Sequence, residues 1–188
     1  MLKIINSIYD FNQHENAYII KLSLKKYVHI FNNFDPYPIR KRDIDQNVAT
    51  FLEDCSNDIP FNQKVILEIT LTEDSTDSDL EARTTKGLRN YFLYMYQYYK
   101  NERRKTVNNS IYYMVFFVLL ASLTFWLEYL HLNYNQILIR TVMEGMSIGS
   151  WVFLWEAIAG LLLKNRSVIT LSRTYKRYLD SKIMFKTS

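Results

Sequence analysis

Two small sets of residues in this sequence have the types and spacing to do chemistry, and they lie in very different surroundings. The first is Glu156, the one ionisable group in the nineteen residues from Gly145 to Leu163. A charged side chain facing hydrocarbon costs on the order of 3 kcal/mol, so such a group either serves a function or is kept neutral and hydrogen-bonded. Glu156 could line an oligomeric pore or carry a proton; it could equally bond Ser122 or Thr124 of a neighbouring span and serve assembly alone. On a helical projection Gly145, Gly149, Val152, Glu156 and Gly160 fall within about 80° of one another. Gly145 and Gly149 form a GxxxG step, which permits close backbone approach between membrane helices. Arg140 and Glu144 are spaced to pair one turn apart near the outer interface.

The second set is acidic. Asp43 and Asp45 form a DxD pair near Asp35, and such carboxylates can hold Mg²⁺ for phosphate chemistry. No third ligand is fixed by local spacing and no Gly-rich phosphate cradle accompanies them. Helix capping is the simpler explanation, because Asp43 followed three residues later by Gln46 has the form of a capping box, with Asp45 favourable in the first turn. His14, His29 and His131 are scattered without metal-ligand spacing, and the single cysteine, Cys55, permits no intrachain disulfide. No Ser/His/Asp or Cys/His arrangement is evident, and no cofactor is called for.

The elements that position Glu156 are two apolar stretches. Ile111 to Leu127 runs seventeen residues without a charge, about 25 Å of helix, and extension to Leu132 reaches the thickness of a bilayer core. The stretch bearing Glu156 follows within ten residues, so the expected unit is a transmembrane hairpin over 111–163, with spans at about 111–131 and 142–163. Lys100, Arg103, Arg104 and Lys105 precede it and Lys164, Arg166, Arg173, Lys176 and Arg177 follow it, whereas the connection from Glu128 to Gln136 has no Lys or Arg. That asymmetry predicts cytoplasmic termini. Tyr112, Tyr113, Trp126, Tyr129 and Tyr134 stand where interfacial aromatics are expected. Residues 1–80 carry a net charge of −5 and residues 81–188 a net +9, so the basic excess lies beside the spans, where anionic headgroups account for it without nucleic acid.

The elements around the acidic set read as a small α+β domain over 1–76. Tyr18, Ile20, Leu22 and Leu24 alternate as one face of a strand, and Lys64 to Thr72 alternates likewise. Between them, Asn32, Asn33, Pro36 and Pro38 make a structured loop, and Ile44, Val48, Phe51, Leu52 and Cys55 give a helix one buried face. The order strand, helix, strand suggests a parallel βαβ unit that needs a further layer from the next helix or from a second copy. Ser78 and Glu81 form another capping box, opening a long juxtamembrane helix over 77–110 that continues into the first span. Residues 164–188 read as a basic C-terminal helix, packed on that long helix or lying on the membrane surface.

FDPYPIRKRDID at Phe34 to Asp45, followed by a helix, a strand, a long helix and a hairpin containing GSWVFLWEAI at Gly149 to Ile158, resembles a group of uncharacterised bacterial two-span membrane proteins with an F-D-P-x-P and R-D-x-D segment. The resemblance covers roughly Ala17 to Lys182. It implies this architecture and a bacterial inner-membrane location, and no reaction.

The expected fold is therefore an α+β membrane protein: a two-helix hairpin with long cytosolic helical extensions and a βαβ domain. Its partners are the bilayer and either further copies or another protein. The leading function is a membrane-anchored interaction or self-assembling module without catalysis. The alternatives are a pore or gated effector using Glu156 and a metal-dependent enzyme using Asp43 and Asp45.

Overall fold

A computed structural model describes residues 2–73, 77–130 and 137–187; His131 and Tyr134, and part of the polar break before the long helix, lie outside the described residues. The protein is α+β, with a small sheet and two long apolar helices that could span a membrane. In chain order the elements are α1 (Leu2–Ile8), β1 (Asp10–Asn12), β2 (Ala17–Leu24), α2 (Gln46–Asp58), β3 (Lys64–Leu71), α3 (Ser78–Tyr129), α4 (Ile137–Ala159), α5 (Asn165–Asp180) and β4 (Lys182–Thr187). Short 3-10 turns occupy Tyr27–Ile30 and Ile39–Lys41, and a π turn, Gly160–Lys164, joins α4 to α5. Two compact units emerge, one from Met1–Tyr99 with Thr170–Ser188 and one from Lys100–Ile169.

The first unit is built on a four-stranded sheet in the order β1-β2-β3-β4, with β1 antiparallel to β2 and the other pairs parallel. The expected parallel pair forms with Tyr18 opposite Val65, Ile20 opposite Leu67, and Leu22 opposite Ile69. Because side chains alternate along a strand, this register places every one of those residues on the same face. β4 extends the row, setting Ile183 beside Leu67 and Phe185 beside Ile69. That strand corrects the expectation of an uninterrupted helix to the C-terminus: α5 stops at Asp180 and the chain turns into the sheet.

The buried face meets a layer of helices. Ile5 of α1, Val48, Leu52 and Cys55 of α2, Leu88 and Phe92 of α3, and Tyr175 and Tyr178 of α5 form one core with it. The missing layer is therefore supplied by α3 and α5 of the same chain. Phe92 stacks on Tyr178 with centroids 5.4 Å apart, and Tyr99 stacks on Tyr175 at 5.7 Å. Over these residues α5 packs on the long helix, one of its two expected environments. Phe51 is exposed, contrary to its assignment to the α2 core face. The buried arc is centred between Val48, Leu52 and Ala49, and at 100° per residue Phe51 falls outside it.

Two helix starts differ from expectation. Asp45, not Asp43, caps α2, accepting from the Asn47 amide at 2.9 Å. Asp43 is held back in extended backbone, its carbonyl accepting from the Asn32 amide at 2.8 Å beside the Phe31–Ile44 bridge. At α3 the capping oxygen belongs to Asp77, which accepts from the amides of Asp79 and Leu80. Glu81 instead accepts the Tyr27 hydroxyl.

Within the second unit the apolar parts of α3 and α4 pack through small residues and stacked rings. Gly160 lies against Ser110, Phe153 stacks on Tyr113 and Phe116, and Trp151 meets Phe117. Ser110, Thr124, Ser150 and Ala157 are buried there, and the first three turn their hydroxyls onto carbonyls of their own helix. Phe125, Trp126, Leu119, Trp155 and Leu162 point outward and are exposed.

Candidate functional site

The residues singled out in the apolar hairpin separate into different roles. Gly160 is the glycine that the fold needs: a Cβ there would strike Ser110 Oγ. Gly145 and Gly149 have nothing near the place a Cβ would occupy. Their face is open, so the GxxxG step does not make the contact between these two helices. Glu156 is neither enclosed nor bonded to Ser122 or Thr124. Its carboxylate lies 3.6 Å from Lys164 Nζ, across the π turn. The register explains the difference. Pairing Gly160 with Ser110 and Phe153 with Tyr113 puts Glu156 at the Tyr113 end, about 12 Å or more along the axis from Thr124. Arg140 and Glu144 lie 3.3 Å apart and both are well exposed. With Thr124, Glu128 and Ser147 they line a cavity of about 450 Å³.

The acidic set is structural in its bonding. Asp35 Oδ1 accepts from the Tyr37 amide at 2.9 Å and Oδ2 from the Asp43 amide at 2.8 Å. These backbone donors hold the Asp35 carboxyl below the usual aspartate range. Arg42 Nε donates to the Tyr37 carbonyl, and Asn90 on α3 donates to the Arg40 carbonyl at 2.7 Å. Gly87 lets this loop seat, since a Cβ there would come within 2.5 Å of the Ile39 carbonyl oxygen and 3.0 Å of the Phe31 ring. Phe34, at the loop tip, is 96 % exposed. With Asp35 engaged by two amides and Asp45 by a third, these two carboxylates brace a loop and cap a helix, while Asp43 takes part through its backbone.

A third place was read from the sequence only as a basic flank. The cavity near the start of β3, about 760 Å³, is lined by Lys64, Val65 and Ile66, by Ala17 of β2, by the turn at Phe61–Gln63, and by Arg173, Lys176, Arg177 and Asp180 of α5. Lys182 and Glu15 complete its rim, paired at 2.6 Å. Five cations thus face two carboxylates, one of which is already committed.

Arg177 is the most deeply set of the five. Its Nη1 donates to the Ser56 carbonyl at 2.9 Å and the Ile59 carbonyl at 3.0 Å, closing the C-terminal end of α2, and the guanidinium lies 4.4 Å from the centre of the Phe61 ring. Burial pulls its pKa down. Nη2 is buried with no hydrogen-bond acceptor. Membrane-surface contact, the expected role of this basic cluster, does not describe Arg177. The sequence signal was present in the spacing, because Arg173, Lys176, Arg177 and Asp180 recur at i, i+3, i+4 and i+7 and so share one side of a helix. What sequence alone could not supply was Phe61 and Lys64 opposite them.

No protein-family model, curated protein or solved structure matches the chain.

Proposed function

We propose that this protein is a non-enzymatic, membrane-anchored module of the bacterial cytoplasmic membrane. Its apolar hairpin crosses the bilayer twice, both termini are cytoplasmic, the open glycine face of α4 joins copies of the chain, and the sheet-bearing unit engages a partner. The likeness to uncharacterised two-span bacterial proteins belongs to the same reading.

One observation carries it. β3 and β4 are hydrogen-bonded neighbours, yet the two apolar helices lie between them in sequence. A sheet completed by segments from before and after the hairpin supports an even number of crossings, with both segments on one side. The exposed aromatic and aliphatic side chains of α3 and α4 support lipid as the solvent for that hairpin.

The test uses an impermeant maleimide on intact cells and on opened vesicles. Glu128→Cys, at the outer end of α3, reacts from outside, and Gln13→Cys reacts only after opening; the buried Cys55 makes wild type the background control. In nanodiscs, wild type forms more than one copy per particle and Gly149→Leu shifts it toward one. Labelling of Gln13→Cys from outside, or the same copy number for both proteins, overturns the corresponding half of the proposal.

The pore alternative asks Glu156 for a free charge, and its proximity to Lys164 gives that no support. Glu156→Gln is accordingly expected to leave liposome ion flux unchanged. The metal-enzyme alternative asks for Asp43 and Asp45 together, and the Asp45 carboxylate already accepts the Asn47 amide at the α2 cap.

A further inference from the structure

The cavity at the start of β3 requires an explanation that anchoring does not give. Lys64, from the net acidic residues 1–80, and Arg173, Lys176, Arg177 and Lys182, from the basic C-terminal part, converge around one concavity of the sheet-bearing unit. Among the described residues Lys182 is the one of the five in an ion pair, with Glu15, whose carboxylate also feels the charge of Lys64. Arg173 and Lys176 make no ion pair among the described residues. Like charges gathered in a concavity repel one another and raise the local potential, which costs stability unless an anion is there to meet them. Arg177 adds a buried N–H donor that the protein leaves unsatisfied, and a buried unsatisfied donor on a charged group is uncommon and expensive.

The walls say something about the rest of the ligand. A bare inorganic anion needs far less than about 760 Å³, a volume within the range of small-molecule sites. Ala17, Val65, Ile66 and the Phe61 ring add apolar surface to the same lining. Phe61 is 40 % exposed and is also the ring that lies against the Arg177 guanidinium, so an organic group resting on its exposed side would sit close to that cation.

We propose that this cavity binds a phosphate-bearing organic anion. Lys64, Arg173 and Lys176 meet the phosphate charge, Arg177 donates from the floor, and the organic body rests on Phe61 and the strand starts. The same chemistry is offered by a soluble phosphorylated compound and by the headgroup of an anionic phospholipid. The proposal does not depend on the copy number or topology of the hairpin.

The full-length protein in phosphatidylcholine nanodiscs, titrated calorimetrically with pyrophosphate at physiological salt, supplies the test. Wild type binds saturably. The Arg173→Gln/Lys176→Gln double variant, altered at two exposed positions, melts as wild type does without ligand and binds about tenfold or more weakly. Lys25→Gln/Lys26→Gln, remote from the cavity, binds as wild type. Replacing part of the phosphatidylcholine with phosphatidylglycerol separates the two sources: weakened pyrophosphate binding in wild type assigns the site to a lipid headgroup, and unchanged binding assigns it to a soluble ligand. Absence of saturable binding, or equal affinity in wild type and the Arg173/Lys176 variant, overturns the proposal.

Discussion

Tyr178 and Thr84 show how differently two buried hydroxyls can contribute. The Tyr178 hydroxyl donates to the Leu52 carbonyl at 2.5 Å from a fully buried position, and burial holds the phenol in its neutral form. Thr84 is equally buried, and its Oγ1 has no partner. Tyr178→Phe leaves a buried carbonyl without its donor and should cost about 1–2 kcal/mol. Thr84→Val removes an unsatisfied hydroxyl at nearly constant volume and should be neutral or stabilise by about 1 kcal/mol. Thermal melts of the two full-length variants measure the contrast.

Asp35 gives the loop before α2 a dependence on pH. Its carboxyl is held below the ordinary range by the Asp43 and Tyr37 amides, so its contribution is complete above the unfolded aspartate value of about 3.9 and is lost as pH falls through the folded value. The amide resonances of Tyr37 and Asp43 should titrate with one shared midpoint below the ordinary aspartate range, and Asp35→Asn should abolish that titration. The sequence marked Asp43 and Asp45 as a pair and named Asp35 only as their neighbour. Asp35 is the residue that organises the loop, and nothing in local spacing distinguishes a carboxylate that gathers one amide two residues on and another eight residues on.

At the scale of elements, the glycines divide by what stands next to them. Gly87 faces the Ile39 backbone and Gly145 faces open space. Gly87→Ala should therefore lift the loop off α3 and destabilise by about 1–3 kcal/mol. Gly145→Ala should change the stability of a single copy by less than about 0.5 kcal/mol. Chemical denaturation followed by tryptophan-independent circular dichroism distinguishes them.

The elements legible in the sequence were those with enough length to repeat. β2, β3, α2 and the two apolar helices each carry several periods of their pattern. β4 carries the same alternation in Ile183 and Phe185 but only six residues of it, and β1 has three. β4 is specified by the register of β3, distant in sequence, which no window reaches, and β1 by the hairpin that returns into β2. The α2 cap fell two residues from expectation for a related reason: backbone pairing outside the helix, as between Asn32 and Asp43, decides where it is allowed to begin.

For the whole molecule, the sheet makes the C-terminal strand a condition of the fold. Ile183 and Phe185 pack against the core, and Arg89 donates to the carbonyls of Leu179 and Ser181. A chain ending at Ser181 exposes the edge of β3. It should lose the cooperative melt of the sheet-bearing unit and become sensitive to protease near Lys64, while the apolar hairpin still partitions into membranes. Limited proteolysis of the membrane fraction reads both outcomes at once.

The place of β4 also sets a timetable. A ribosome releases β1, β2 and β3 first, then the two apolar helices, and only afterwards the strand that covers β3. During that interval the nascent sheet has an unpaired edge and an uncovered patch where Tyr175, Tyr178 and Phe185 will sit. The sheet of this unit therefore cannot be complete until both apolar helices have been synthesised, and a chain interrupted anywhere before β4 is left with an open sheet rather than a finished domain.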